Sequence, residues 1–120
     1  MRIILLEHPR QPSPDHFNDI ANTPLWSCLM TGYAGAALQN EGFEVEILDA
    51  TLWTFPETLQ YLISQPADLL AVHTVYFWEN TETLFQMLSD LRKLRYDTPI
   101  CLYGFFPTLA WRDMLNHAPA

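Results

Sequence analysis

The stretch Asp68-Leu-Leu-Ala-Val-His73 decides the fold, because it is apolar almost throughout and as short as a single strand. A run of this kind is typical of a central strand in a parallel sheet that is covered on both faces. The stretch Arg2-Ile-Ile-Leu-Leu-Glu7 has the same character, and His8-Pro9 ends it because proline cannot continue a strand ladder. Two further strands are predicted at residues 43–48 and 99–103.

Helical patterns separate these strands. A helix is predicted from Pro24 for about 17 residues, and three more are predicted at 54 or 55 to 64, at 81–96 and at 108–117. Thr23 is the expected N-cap of the first helix and Gly42 its end. The residues of that helix expected to face the core are Leu25, Leu29, Tyr33, Ala36, Ala37 and Asn40.

Alternation of strand and helix favours right-handed crossovers and a parallel sheet with helices on both faces. The predicted class is therefore α/β, a doubly wound sheet of flavodoxin-like or Rossmann-like type with strand order 2-1-3-4. The commonest plan adds a fifth strand. We therefore expect residues 1–120 to be a single domain and the N-terminal fragment of a longer protein, with a complete four-stranded fold as the alternative.

Composition excludes several partners. Fourteen acidic and six basic residues give a net charge of −8, which is the wrong sign for a reader of nucleic-acid phosphates. The chain has no apolar run long enough for a membrane helix and no secretory signal, so a cytoplasmic protein is expected. Cys28 and Cys101 lie in apolar surroundings and are predicted to be buried, reduced thiols.

Ligands of this fold bind at the carboxyl ends of the strands, where the strand order reverses. Those ends are predicted at 7–10, 49–51, 73–76 and 104–108. A dinucleotide site is disfavoured because no glycine precedes Gly32, and 7–12 lack the small residues of a flavin phosphate loop. A phospho-receiver would end its third strand on aspartate, whereas this strand ends on His73.

Four stretches read together carry a resemblance to a known family. They are Pro24-Leu-Trp-Ser-Cys-Leu-Met-Thr-Gly-Tyr-Ala-Gly-Ala-Ala-Leu38, Glu41-Gly-Phe-Glu-Val-Glu-Ile-Leu-Asp-Ala50, Ala67-Asp-Leu-Leu-Ala-Val-His-Thr74 and Pro99-Ile-Cys-Leu-Tyr-Gly-Phe-Phe-Pro-Thr108. In order and spacing they resemble the N-terminal cobalamin-binding domain of cobalamin-dependent radical SAM enzymes. The resemblance spans nearly the whole chain.

The resemblance implies a set of cofactor contacts. His8-Pro9 stands where the family has Asn-Pro, His73 replaces its usual serine, and Tyr103-Gly104 replaces a glycine pair that leaves room for the nucleotide tail of the corrin. The implied cobalamin-binding residues are His8, Pro9, Leu25, Leu29, Asp49, His73, Thr74, Gly104, Pro107 and Thr108. The mutase motif D-x-H-x-x-G is absent, so cobalamin is expected base-off with no protein histidine on cobalt.

The function implied is to position cobalamin for methyl transfer or ring cyclisation. S-adenosylmethionine and a [4Fe-4S] cluster would belong to a downstream radical SAM domain, which is also the expected partner, because the cluster motif C-x-x-x-C-x-x-C is missing here. This chain alone is therefore not expected to catalyse.

A second hypothesis is an interaction or scaffold domain that kept the fold and lost the cofactor. A vacant groove between the first and third strand ends would favour cobalamin, whereas a groove filled by Tyr103, Phe105 or Trp78 would favour the scaffold.

A stand-alone enzyme has little support, since the strand ends suggest no acid/base pair. Two of these residues also have a purely structural interpretation, His73 as a hydrogen-bonded residue at the end of a strand and Asp49 as the cap of a loop.

Overall fold

The predicted strands form one parallel sheet. The computed structural model describes residues 1–9, 29–74 and 81–117. Its strands are β1 (Arg2–Glu7), β2 (Glu44–Asp49), β3 (Leu69–His73) and β4 (Ile100–Tyr103). They are ordered β2-β1-β3-β4 with every neighbouring pair parallel, which confirms the predicted order and the doubly wound α/β class.

Five helices are described: α1 (Leu29–Asn40), α2 (Phe55–Ser64), α3 (Thr81–Lys93), α4 (Phe105–Leu109) and α5 (Trp111–His117). The first five predicted residues of this helix, 24–28, which include Leu25 and Cys28, lie outside the described residues. Helix α3 ends earlier than the predicted residue 96, because Arg95 adopts a left-handed φ of 60°.

The predicted helix 108–117 is wrong in its start and its continuity. Helix α4 already begins at Phe105, with Gly104 as its N-cap, and the chain leaves helical geometry at Ala110 before α5 begins. Pro107 falls in the first turn of α4, where a backbone N–H has no helical acceptor and proline is tolerated.

Alternate residues of the strands build a core on each face of the sheet. On one face, Ile4, Leu6, Leu70 and Val72 pack with buried residues of α2 and α3. On the other face, Ile3, Leu5 and Ala71 pack with partly buried residues of α1. Burial on both faces explains why β1 and β3 are continuous apolar runs in the sequence.

Helix α1 turns a different face to the sheet from the one predicted. Leu29 and Tyr33 are 79% and 76% exposed, whereas Thr31 and Gly35 are buried. The reason is the close approach of the helix: a Cβ built on Gly35 would lie 3.1 Å from Cδ1 of Ile47. Small residues lie where α1 approaches the sheet most closely, and the longer side chains of Leu29 and Tyr33 point outward.

Cys101 is exposed, and the prediction of a buried thiol at this position is wrong. Cys101 pairs with Ala71 in the register of β3 and β4, so its side chain lies on the α1 face of the sheet. Helix α1 contacts β2 and β1 on this face, and β4 lies at the far edge of the sheet.

Helix α2 begins with a reciprocal capping box. The Thr54 hydroxyl accepts a hydrogen bond from the Glu57 backbone N–H at 3.3 Å, and the Glu57 carboxylate accepts one from the Thr54 backbone N–H at 2.8 Å. We expect Thr54→Ala to lower the free energy of unfolding by about 1 kcal/mol, because a helix donor loses its partner. Urea denaturation checks this, with Thr54→Ser as the control that keeps the hydroxyl; equal losses in both variants would contradict it.

The same capping box predicts a pH dependence. The backbone N–H of Thr54, and then its hydroxyl, lower the pKa of Glu57 below its ordinary value of 4.5. A carboxyl whose pKa is depressed on folding adds stability above its unfolded pKa, and that stability is lost as the pH falls through the folded pKa. We therefore expect the urea midpoint to fall less on acidification below pH 4.5 in Glu57→Gln than in the unsubstituted chain. Identical acid profiles would contradict this assignment.

Candidate functional site

The last residues of the four strands form one row across the sheet. Asp49 pairs with Glu7, Glu7 with His73, and His73 with Tyr103 in the parallel register. Paired residues of neighbouring strands point to the same face, which here is the face covered by α1. Polar side chains therefore lie at the strand ends where the strand order reverses, between β1 and β3. Ligands bind at this place in this fold.

Glu7 and His73 form a buried pair at the centre of this row. Glu7 is 1% exposed and His73 is fully buried. Nδ1 of His73 lies 2.8 Å from Oε1 of Glu7, which is an ion-pair distance, although the ring N–H direction is not aligned for an ideal hydrogen bond. The Thr31 hydroxyl donates a hydrogen bond to the same carboxylate oxygen. A buried carboxylate requires such partners.

Tyr103 extends the network to the edge strand β4. Its hydroxyl lies 2.7 Å from Oγ1 of Thr31, and the centroid of its ring lies 5.0 Å from that of His73. The network therefore joins α1 to β1, β3 and β4 through side chains alone. We call Glu7, Thr31, His73 and Tyr103 the strand-end cluster.

Gly104 lies against the cluster at the turn between β4 and α4. Its φ is 115°, in the region that L side chains rarely adopt. A Cβ at this position would lie 2.7 Å from the carbonyl oxygen of Thr74 and 3.2 Å from Nε2 of His73. The end of β3 thus leaves no room for a side chain at residue 104.

Besides Nδ1 of His73, which has only the ion-pair contact to Glu7, two buried polar atoms at the end of β3 have no hydrogen-bond partner within the described part of the chain. They are Nε2 of His73 and Oγ1 of Thr74, whose residues are 0% and 2% exposed. A buried polar atom without a partner lowers stability, so its presence at the carboxyl edge calls for a functional explanation.

Some of the other predicted site residues lie at the same edge. His8 and Pro9 are buried directly after β1, and Nδ1 of His8 lies 3.0 Å from the carbonyl oxygen of Pro9. Asp49 accepts hydrogen bonds from the backbone N–H of Thr51 at 3.1 Å and from its hydroxyl at 2.5 Å. Asp49 therefore caps the loop after β2, which is the structural one of its two predicted roles.

Pro107 and Thr108 are separated from the strand-end cluster. Pro107 lines a cavity of about 330 Å³ together with Leu102, Trp111 and Arg92, among others. Leu102 belongs to the face of the sheet opposite His73, so this cavity is a different place from the carboxyl edge. The exposed Thr108 side chain donates a hydrogen bond of 2.8 Å to the carbonyl oxygen of Gly104, which stabilises the first turn of α4.

The aromatic side chains that follow β2 and β4 lie in different surroundings. Phe105 is 60% exposed at the start of α4, whereas Phe106 is buried. Trp53 packs edge-on against Tyr61, with ring centroids 5.6 Å apart. Trp78, which was expected to fill the groove of a scaffold domain, lies outside the described residues.

Two features of the strand-end cluster escaped the sequence reasoning. Thr31 was absent from the predicted site, and the expectation that the strand ends supply no acid/base pair is wrong, because Glu7 and His73 form one. The signal was available: both residues end strands that are neighbours in the predicted order. Thr31 carried no such signal, since its position depends on which face α1 turns to the sheet.

Within residues 1–9, 29–74 and 81–117, no group of three or more His, Cys, Asp or Glu side chains could hold a metal ion. Among the described helices, none combines the length and the apolar character required to cross a membrane. Comparison with family models, curated proteins and solved structures found no match to this chain.

Proposed function

We propose that this chain is a cobalamin-binding domain that holds the cofactor at the carboxyl edge of the sheet, between the ends of β1 and β3. One observation carries the proposal: buried polar atoms without described partners, Nε2 of His73 and Oγ1 of Thr74, lie where the strand order reverses. The choice of cobalamin rests on the sequence resemblance. The parent protein would use the cofactor for methyl transfer or ring cyclisation, together with a radical SAM domain.

The polar groups at the edge support the choice of a ligand that carries amide groups around its rim, as a corrin does. Cobalamin carries amide side chains around its ring, and the buried His73 nitrogen and Thr74 hydroxyl are suitable hydrogen-bonding partners for them. Gly104 presents no side chain beside these two groups. When bound, cobalamin supplies the reactivity of its cobalt, and the task of this chain is to bind and orient it.

Tyr103 is the residue that suits cobalamin binding least. The resemblance implies a glycine here, which would leave a passage for the nucleotide tail, but the Tyr103 ring lies beside His73 and its hydroxyl contacts Thr31. Binding with the tail in this passage requires the Tyr103 side chain to move. This gives a matched pair of variants: Tyr103→Gly opens the passage, and Tyr103→Phe keeps the ring but loses the hydroxyl.

Retention of hydroxocobalamin tests the proposal. The protein is mixed with hydroxocobalamin and passed through a gel-filtration column, and the visible absorbance of the protein peak is measured. We expect corrin in the protein peak, and more of it for Tyr103→Gly than for Tyr103→Phe. Circular dichroism of each variant checks that it is folded. The absence of corrin from all three folded proteins would overturn the proposal.

An interaction domain without a cofactor is the second candidate. The contact between the Tyr103 hydroxyl and Thr31 favours it, because Tyr103 is one of the side chains expected to fill the groove of a scaffold domain. The 60% exposure of Phe105, two residues after Tyr103, also suits a binding surface for another protein. Retention of corrin by the unsubstituted chain would exclude this candidate.

A further inference from the structure

We infer that Nε2 of His73 is the hydrogen-bond acceptor of the site, and that it takes a neutral donor group of the ligand, an amide N–H or a hydroxyl. The inference rests on the proposed function and deepens it, because it names the chemical group that the carboxyl edge recognises. The family resemblance does not assign this role to a histidine.

The neighbours of the other ring nitrogen determine where the proton of His73 lies. Oε1 of Glu7 lies 2.8 Å from Nδ1 and also accepts the Thr31 hydroxyl hydrogen. The negative charge of a carboxylate oxygen at this distance favours the ring hydrogen on Nδ1, although the N–H direction is not that of an ideal hydrogen bond. The neutral imidazole then carries its hydrogen on Nδ1 and its lone pair on Nε2. A carboxylate beside one ring nitrogen of a histidine also makes the other ring nitrogen a better electron-pair donor.

Burial makes the free lone pair specific for a donor. His73 is fully buried, and Nε2 has no partner among the described residues. In such surroundings a ligand N–H or O–H that reaches Nε2 replaces an unsatisfied acceptor with a satisfied one. A ligand that lacks a donor would leave the acceptor unsatisfied.

Charge disfavours an anionic group at the same point. The Glu7 carboxylate contacts the imidazole ring directly, and the chain as a whole carries a net charge of −8. A phosphate or carboxylate placed against Nε2 would face both its lone pair and the field of Glu7. The amide side chains of the corrin therefore suit this position, whereas the phosphodiester of the cobalamin tail does not.

His73→Asn is the variant that isolates this role. The asparagine amide can donate to Glu7 from nearly the same place as Nδ1, but no atom replaces Nε2. We expect hydroxocobalamin to bind roughly tenfold more weakly to this variant, as for the loss of one buried hydrogen bond. His117→Asn is the matched control, because His117 is an exposed residue of α5 that contacts the carbonyl oxygen of Asp113.

Nitrogen-15 NMR of the histidine side chains tests the inference directly, because it shows which ring nitrogen carries the hydrogen. The spectrum is recorded with and without hydroxocobalamin. We expect the Nδ1–H tautomer of His73 in the free protein at neutral pH, and a shift of its Nε2 signal when hydroxocobalamin binds. A protonated ring or the Nε2–H tautomer in the free protein would overturn the inference, and would point to the phosphodiester instead.

The outcomes separate this inference from the proposed function. If corrin is retained but the Nε2 signal does not move and His73→Asn binds as tightly as the control, the inference fails and the proposed function stands. If the folded protein retains no corrin, both fail together.

Discussion

Replacement of Gly104 by alanine is expected to lower the free energy of unfolding by about 3 kcal/mol. The backbone φ of 115° is strained for any L side chain, and the new Cβ would lie 2.7 Å from the backbone oxygen of Thr74. It would also lie 3.0 Å from Cδ2 of His73. Neither neighbour is the flexible end of a long side chain, so β3 and the β4–α4 turn must separate. Urea denaturation followed by circular dichroism measures the loss.

Gly32→Ala is the control for this substitution. Gly32 lies within α1 and a Cβ built on it meets no atom within 4 Å. Alanine there should raise stability by up to about 1 kcal/mol, because glycine is the poorer helix former. A Gly104→Ala protein as stable as the Gly32→Ala protein would show that the turn does not press against β3 as described.

Glu7→Leu is the second large expected effect, with a loss of about 3 kcal/mol in the free energy of unfolding. The substitution removes the carboxylate that contacts His73 and Thr31, and leaves both of their polar groups buried without it. Thermal or urea denaturation provides the measurement, on protein shown to be folded by circular dichroism.

A double-mutant cycle shows whether this loss comes from the pair itself. We expect Glu7→Leu/His73→Leu to be less destabilised than the sum of the two single variants, because neither member of the pair is left buried without the other. Additive losses would mean that Glu7 and His73 are not coupled, and the strand-end cluster would then be a set of separate contacts.

The sheet was predictable because its strands are short apolar runs separated by clear turn residues. The run Arg2–Glu7 was predicted with the bounds that the structure has, and the order of the strands is that of the commonest plan for a doubly wound sheet. The second helix was predictable for a similar reason: Thr54, Pro56 and Glu57 are strong signals of a helix start.

The site was predictable only in part. Strand order brings the ends of β1 and β3 together, so the location of the site followed from the sequence. The partners of Glu7 and His73 did not, because Thr31 reaches them only through the close packing of α1 over Gly35. The family motif suggested one site containing both Gly104 and Pro107, whereas the earlier start of α4 places Pro107 in a different cavity.

The most direct test of cofactor binding at the carboxyl ends of the strands is the set of backbone amide signals that shift in a ¹H–¹⁵N spectrum when hydroxocobalamin is added. Binding there predicts shifts concentrated at Glu7, His8, Thr74 and Gly104, and unchanged signals at the amino-terminal ends of β2 and β3, at Glu44 and Leu69 for example. Shifts centred on Arg92 and Trp111, beside the cavity of the other face, would contradict it, as would a spectrum that does not change.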